Sequence, residues 1–187
     1  VWGRSYVYYE SPTGDVVRGS LTIVCNVSDH YGRGIDSYYV EFYDSHGYLG
    51  SNYTNSQGKA YLTYDFSSRP VGSDTITCVI YDDSNKYYNA SKTSDSGVIN
   101  LLDQLYIDIV LPENNTDWYR GDTLSLNSSV YDDNGPVNDA SVYWYNETWS
   151  LIATGQNTTW TVPTNYGRGY EIIYANATKT NYYNGTD

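Results

Sequence analysis

TITCVIYDDSNKYYNAS, Thr75 to Ser91, returns about a hundred residues later as YEIIYANATKTNYYNGT, Tyr170 to Thr186. Each copy starts as a strand-like run, passes a short polar stretch and closes on a tyrosine pair. The echo continues upstream. RGSLTIVCNVSD (Arg18 to Asp29) is answered by RGDTLSLNSSVYDD (Arg120 to Asp133), and SYYVEFYD (Ser37 to Asp44) by ASVYWYNE (Ala140 to Glu147). A repeat of this period built from strand-like units describes two tandem all-β modules. With 187 residues, each can bury its own core. The expected boundaries are 1–101 and 102–187. No stretch carries a sustained helical period.

In the first module strand-like segments are expected near 4–10, 20–29, 38–44, 48–54, 59–66, 74–81 and 97–101, separated by Gly- and Asp-rich turns. Val40 and Phe42 alternate with Glu41 and Tyr43, so the first pair faces in and the second out. The second module follows with 105–111, 122–132, 140–146, 150–154, 157–162 and 170–177. There Leu124, Leu126 and Val130 face Val142 and Trp144. The adjacent Ile172 and Ile173 leave the parity of the last strand open.

The two cysteines, Cys25 and Cys78, sit mid-strand with apolar neighbours at period two. Both therefore point into one core, where an inter-sheet disulfide fits an oxidising compartment. Ser128 and Ile173 stand at the matching places of the second module, which is expected to hold without a bridge. Nine Asn-X-Ser/Thr sequons occur, at Asn26, Asn52, Asn89, Asn114, Asn127, Asn146, Asn157, Asn176 and Asn184. Composition alone would scatter roughly three to four, so the set points to an extracellular or cell-surface protein carrying N-linked glycans. With Cys25 turned inward, Asn26 turns out to solvent.

The run VEFYDSHGYLGSNYTNSQGKAYLTYDF followed by TITCVIYDDSNKYYNAS resembles the tandem bacterial and archaeal Ig-like domains of cell-surface proteins. It has a strand, a Gly turn, a Gly-Lys-Ala strand, a Thr-Ile-Thr strand and a Tyr-rich close. The resemblance covers most of the first module and, more weakly, the second. It implies a β-sandwich with a spacer or adhesion role and no chemistry of its own.

After NKYYNAS, the first module has SDSGVINL to supply a closing strand. After NYYNGT in the second comes Asp187. The expected fold is thus all-β, two tandem Ig-like β-sandwiches, the second lacking its own closing strand. Such a slot exposes apolar side chains and unpaired backbone groups. Either flanking domains of the same chain fill it, or a copy of the protein donates a strand and builds a head-to-tail polymer. The N-terminal VWGRSYVYY, offering Trp2, Tyr6 and Tyr8, is the candidate donor.

Net charge is −12, with no basic stripe for nucleic acid and no polybasic membrane contact. No segment reads as a membrane span. His30 and His46 lie in turns without a partner motif, and no nucleophile elbow or phosphate loop occurs. No enzyme, metal site or cofactor is expected. The acidic runs Asp82–Asp83 and Asp132–Asp133–Asn134 with Asp139 have the composition of calcium loops and of ordinary strand turns alike, with no EF-hand spacing. There are 24 tyrosines. The pairs Tyr8–Tyr9, Tyr38–Tyr39, Tyr87–Tyr88 and Tyr182–Tyr183 each turn one ring in and one out. The outward rings, with Trp118, Trp149 and Trp160, are candidates to stack on sugars or pack on a neighbouring chain. Two readings follow: a subunit or segment of a surface filament or stalk assembled by strand addition, or an adhesin-type module recognising carbohydrate or protein.

Overall fold

The computed structural model describes residues 2–167, 169 and 171–187. It divides into two units, 1–102 and 103–187. Among the described residues every regular element is a strand, and no helix is long and apolar enough to cross a membrane. Each unit is an Ig-like β-sandwich.

In the first, one sheet runs β6 (Lys59–Asp65), β3 (Ser20–Asp29), β1 (Gly3–Ser11), β8 (Tyr88–Lys92). The other runs β5 (Gly47–Tyr53), β4 (Tyr39–Asp44), β7 (Gly72–Val79), β9 (Ser94–Gln104), with β2 (Gly14–Val17) parallel to β9. Strict alternation buries Ile23, Cys25 and Val27 from one sheet against Val40, Phe42, Ile76 and Cys78 from the other. The Cys25–Cys78 disulfide joins the sheets through this core, with Cα atoms 6.3 Å apart. Gly34 and Gly58 pass so closely that a Cβ on either would strike backbone, which fixes the turns at one end of β3.

In the second unit, β11 (Thr123–Asp132) pairs with β10 (Tyr106–Leu111), β15 (Asn157–Thr161) and the short β12 (Gly135–Pro136). The facing sheet runs β14 (Leu151–Thr154), β13 (Ser141–Tyr145), β16 (Tyr174–Thr178), β18 (Gly185–Thr186). Its core is Leu126, Val130, Val142, Trp144, Ala175 and Ala177. β17 (Tyr182–Tyr183) lies parallel to Asp103–Gln104, as β8 lies parallel to β1.

Two expectations change here. The second sandwich was expected to have no closing strand. In fact Gly185 and Thr186 pair with Ala177 and Asn176, and Asp187 exchanges both backbone hydrogen bonds with Ala175. Those three residues stand where β9 begins along β7. Even the anchor repeats: Asp95 Oδ2 accepts from Tyr9 N at 2.9 Å, and Asp187 Oδ2 from Ile109 N at 2.7 Å. The second correction concerns the match to Cys78. Phe42 pairs with Cys78 across β4 and β7, and Trp144 with Ala175 across β13 and β16. Ala175, not Ile173, therefore occupies the place of Cys78. Ile173 lies before the strand, partly packed on the core, and Ile172 is exposed. The expected strand start at Tyr170 falls outside the described residues.

Candidate functional site

The outer face of β4, β5 and β7 gathers five tyrosines around one carboxylate. Alternation along β4 sends Tyr39, Glu41 and Tyr43 outward because Val40 and Phe42 take the core. Register on β5 then places Tyr53 opposite Tyr39 and Tyr48 opposite Tyr43. Both pairs meet edge to face, with ring centroids 5.4 Å apart. Tyr81, just beyond β7, completes the group.

Three phenols donate to Glu41: Tyr81 at 2.7 Å and Tyr43 at 2.8 Å to Oε2, and Tyr39 at 3.3 Å to Oε1. The bonds from Tyr81 and Tyr43, in that order, hold the Glu41 carboxyl below its ordinary pKa. The bond to Glu41 in turn pushes the Tyr43 and Tyr81 hydroxyls up. At neutral pH the carboxylate is charged and its donors keep their protons. Tyr39, Tyr43 and Tyr81 are therefore held in place before any ligand arrives, which lowers the ordering cost of binding. Tyr48, Tyr53 and Tyr81 are each more than half exposed. At one end the face dips into a depression of about 250 Å³ lined by Tyr38, Tyr39, Tyr53, Tyr81, Asp82, Asp83, Ser84 and Asn85. Among the described residues the second module has no equivalent, since Tyr143 stands at the place of Glu41. There Trp149 lies flat on Tyr174, centroids 4.7 Å apart, and is 59% exposed.

The other singled-out residues fall as follows. Tyr38 and Tyr39 divide inward and outward, as do Tyr9 and Tyr8, and Tyr88 and Tyr87. Trp160 is buried and Trp118 packs on it, so neither is an outward ring; Trp149 is. The expected donor segment is seated in its own module. β1 is hydrogen-bonded to β3 on one edge and to β8 on the other, which leaves its backbone no free edge to offer. Trp2 and Tyr8 remain exposed and Tyr6 half-buried.

Among the sequons, Asn52, Asn89, Asn114, Asn157 and Asn184 are exposed, and Asn26, Asn127 and Asn176 half-buried. Asn146 is buried. Its amide donates to Tyr166 Oη at 3.0 Å, and its Oδ1 accepts from Thr148 and Ser150, so its nitrogen is not presented for a glycan. The acidic runs are turn caps: Asp82 takes Ala90 N, Asp83 takes Asn85 N and Lys86 N, Asp132 takes Asn134 N, and Asp139 pairs with Lys179. His30 packs on Tyr31 with the two rings tilted by 43°. His46 is different. It stands against two buried carboxylates, Asp44 and Asp74, which nothing in the local sequence announces.

No protein-family model matches the chain, and no curated protein does. Its fold is similar to that of the fibronectin(III)-like modules of Clostridium thermocellum CbhA, at 17% identity and TM-score 0.42 over 97% of this chain and 90% of that one. The D0-D1 domain of intimin gives 14% and 0.35 over 96% and 93%. The Yersinia pseudotuberculosis adhesin InvE gives 13% and 0.39 over 97% and 58%. All three are likenesses of fold.

Proposed function

We propose that this chain is a non-enzymatic, extracellular binding module that grips a neutral carbohydrate through the tyrosine face of its first sandwich. The observation that carries the reading is the ring face built on Glu41: Tyr39, Tyr43 and Tyr81 bond the carboxylate, and the exposed Tyr53 and Tyr48 pack edge to face on the first two. Flat, preset aromatic surfaces suit the apolar faces of sugar rings, and the depression beside Asp82, Ser84 and Asn85 offers acceptors for hydroxyls. Glu41, Asp82 and Asp83 turn away anionic polymers. The disulfide and the exposed sequons support an oxidising, glycan-bearing location. A glycan array, followed by titration of any hit, tests it. Tyr53→Ala and Tyr81→Ala should each weaken binding about tenfold, the worth of one stacked ring. Failure of the intact chain to retain any neutral glycan sinks the reading.

A second reading keeps the chain structural: a segment of a surface stalk, or a filament subunit that grows by strand addition. Its support is the exposed rings of the second module, Trp149 and Tyr119, which suit packing on a neighbouring chain. A native chain of 21.2 kDa that forms ordered polymers would favour the filament. A much heavier chain would place the continuing strand in the same polypeptide.

A further inference from the structure

The alternation that sends Val40 and Phe42 into the core sends Asp44 in after them, and the one that buries Ile76 and Cys78 also buries Asp74. Two carboxylates thus meet at one end of the first sandwich, 8% and 3% exposed. Buried carboxylates require nearby positive charge. Asp44 has it on one oxygen: Arg69 Nε donates to Oδ2 at 2.7 Å, while His46 N donates to Oδ1 at 2.8 Å. Asp74 spends Oδ1 on three donors, Ser45 Oγ at 2.6 Å, Thr75 N at 2.8 Å and Ser45 N at 3.1 Å. Its Oδ2 is buried and has no hydrogen-bond partner. That oxygen is aimed at His46 Nδ1, 3.8 Å away, which also lies 3.9 Å from Asp44 Oδ2.

The geometry points to a divalent transition-metal site formed by Asp44, His46 and Asp74. The three ligand atoms lie within 4.8 Å of one another. One imidazole nitrogen with two carboxylates suits Zn²⁺ or a similar ion, whereas Ca²⁺ sites are built from oxygen alone. Arg69 on Asp44, and Ser45 and Thr75 on Asp74, hold the carboxylates in orientation as outer partners of metal ligands do. Three protein ligands leave room for water.

The second module supplies an internal contrast. At the corresponding corner Asn146 replaces Asp44, Thr148 replaces His46, Tyr166 replaces Arg69 and Glu171 replaces Asp74. The backbone bond is kept: Glu147 N donates to Glu171 Oε1 at 3.1 Å as Ser45 N does to Asp74. The charges are not. Among the described residues, Tyr166 donates to Glu171 at 2.7 Å and accepts from Asn146 at 3.0 Å, so the hydroxyl and amide that close this corner on the carboxylate are neutral. The same backbone connection forms with Asn146 in place of the second carboxylate, so the pair in the first module is an added feature and not a requirement of the fold.

The test is calorimetric titration of the chelator-treated, disulfide-intact chain with ZnCl₂ at pH 8, where a free imidazole is neutral, with thermal unfolding alongside. One equivalent should bind and raise the melting temperature of the first module alone. His46→Ala and Asp74→Asn should each cut Zn²⁺ affinity by more than about tenfold, and His30→Ala should not. If Asp74→Asn fails to fold, His46→Ala carries the test, because that side chain is 43% exposed. Absence of saturable Zn²⁺ binding, equal binding of Ca²⁺, or unchanged affinity in His46→Ala would each overturn the site.

Discussion

At the centre of the first module Cys25 on β3 is bonded to Cys78 on β7, beside Phe42 on β4. At the same three places the second module has Ser128, Ala175 and Trp144, all buried. The larger ring occupies space beside two small residues, and its Nε1 donates to Gly155 O at 2.8 Å, so no polar group is stranded. One backbone plan is therefore fastened in two ways, by a covalent staple and by a packed indole. The corners teach the same lesson. Asp44, Arg69, His46 and Asp74 close one with charged partners, and among the described residues Asn146 and Tyr166 close the other on Glu171 with neutral ones. The backbone connections are shared, and the side chains that complete them are exchangeable.

The sharpest way to break this comparison is Trp144→Ala. It should cost the second module about 3–5 kcal/mol and leave the first unmoved, seen by calorimetry as a fall in one of two transitions. If both transitions fall together, the modules do not hold their cores independently. Replacing Cys25 and Cys78 by alanine should cost the first module about 4 kcal/mol for a closed loop of 53 residues. The second transition should stay in place, and a first module that melts unchanged would mean its staple is dispensable. Asn146→Ala strands the amides of Thr148 and Ser150 and should cost about 1–3 kcal/mol in the second module, measured by denaturant unfolding.

The smallest effect sharpens the contrast at Glu41, whose match is Tyr143. The folded carboxyl titrates below its unfolded value because Tyr81 and Tyr43 donate to it. Its contribution is therefore complete above the unfolded pKa and is lost as pH falls through the folded one. The side chain is partly exposed, so the loss is small. Glu41→Gln should flatten the acid limb of the first module's stability below the ordinary carboxylate range. An unchanged limb would remove Glu41 from the ring platform.

Much of the fold was legible because alternation is a local property. Ile23, Cys25 and Val27 announce an inward face, and so do Val40 and Phe42. The strands that were missed are short and carry no such signal: GDVV in β2, YNASK in β8, YY in β17 and GT in β18. They are strands because a longer partner lies beside them. The alignment of Ile173 with Cys78 went astray for a related reason. Matching by hydrophobicity favours the large residue, while the packed core admits alanine because Trp144 fills the space across the strand. Asn146 fits the sequon pattern in the chain and fails it in the fold, where its side chain is turned inward as Asp44 is. Trp160 likewise reads as one more aromatic ring until β15 turns it into the core.

The tyrosine face was half visible. Outward rings on β4 follow from alternation, but the meeting of Tyr39, Tyr43 and Tyr81 on Glu41 depends on the register of β4 with β7. The repeat, the all-β character, the disulfide and the acidic, sequon-rich surface are set by residue order and composition, which the chain states without folding. Which carboxylates are buried together, which ring replaces a disulfide and which hydroxyls meet one carboxylate are fixed only when strands distant in sequence come to lie side by side. His46 is two residues from Asp44 but 28 from Asp74. Local spacing carries no trace of that pairing, because it is made by the sheet.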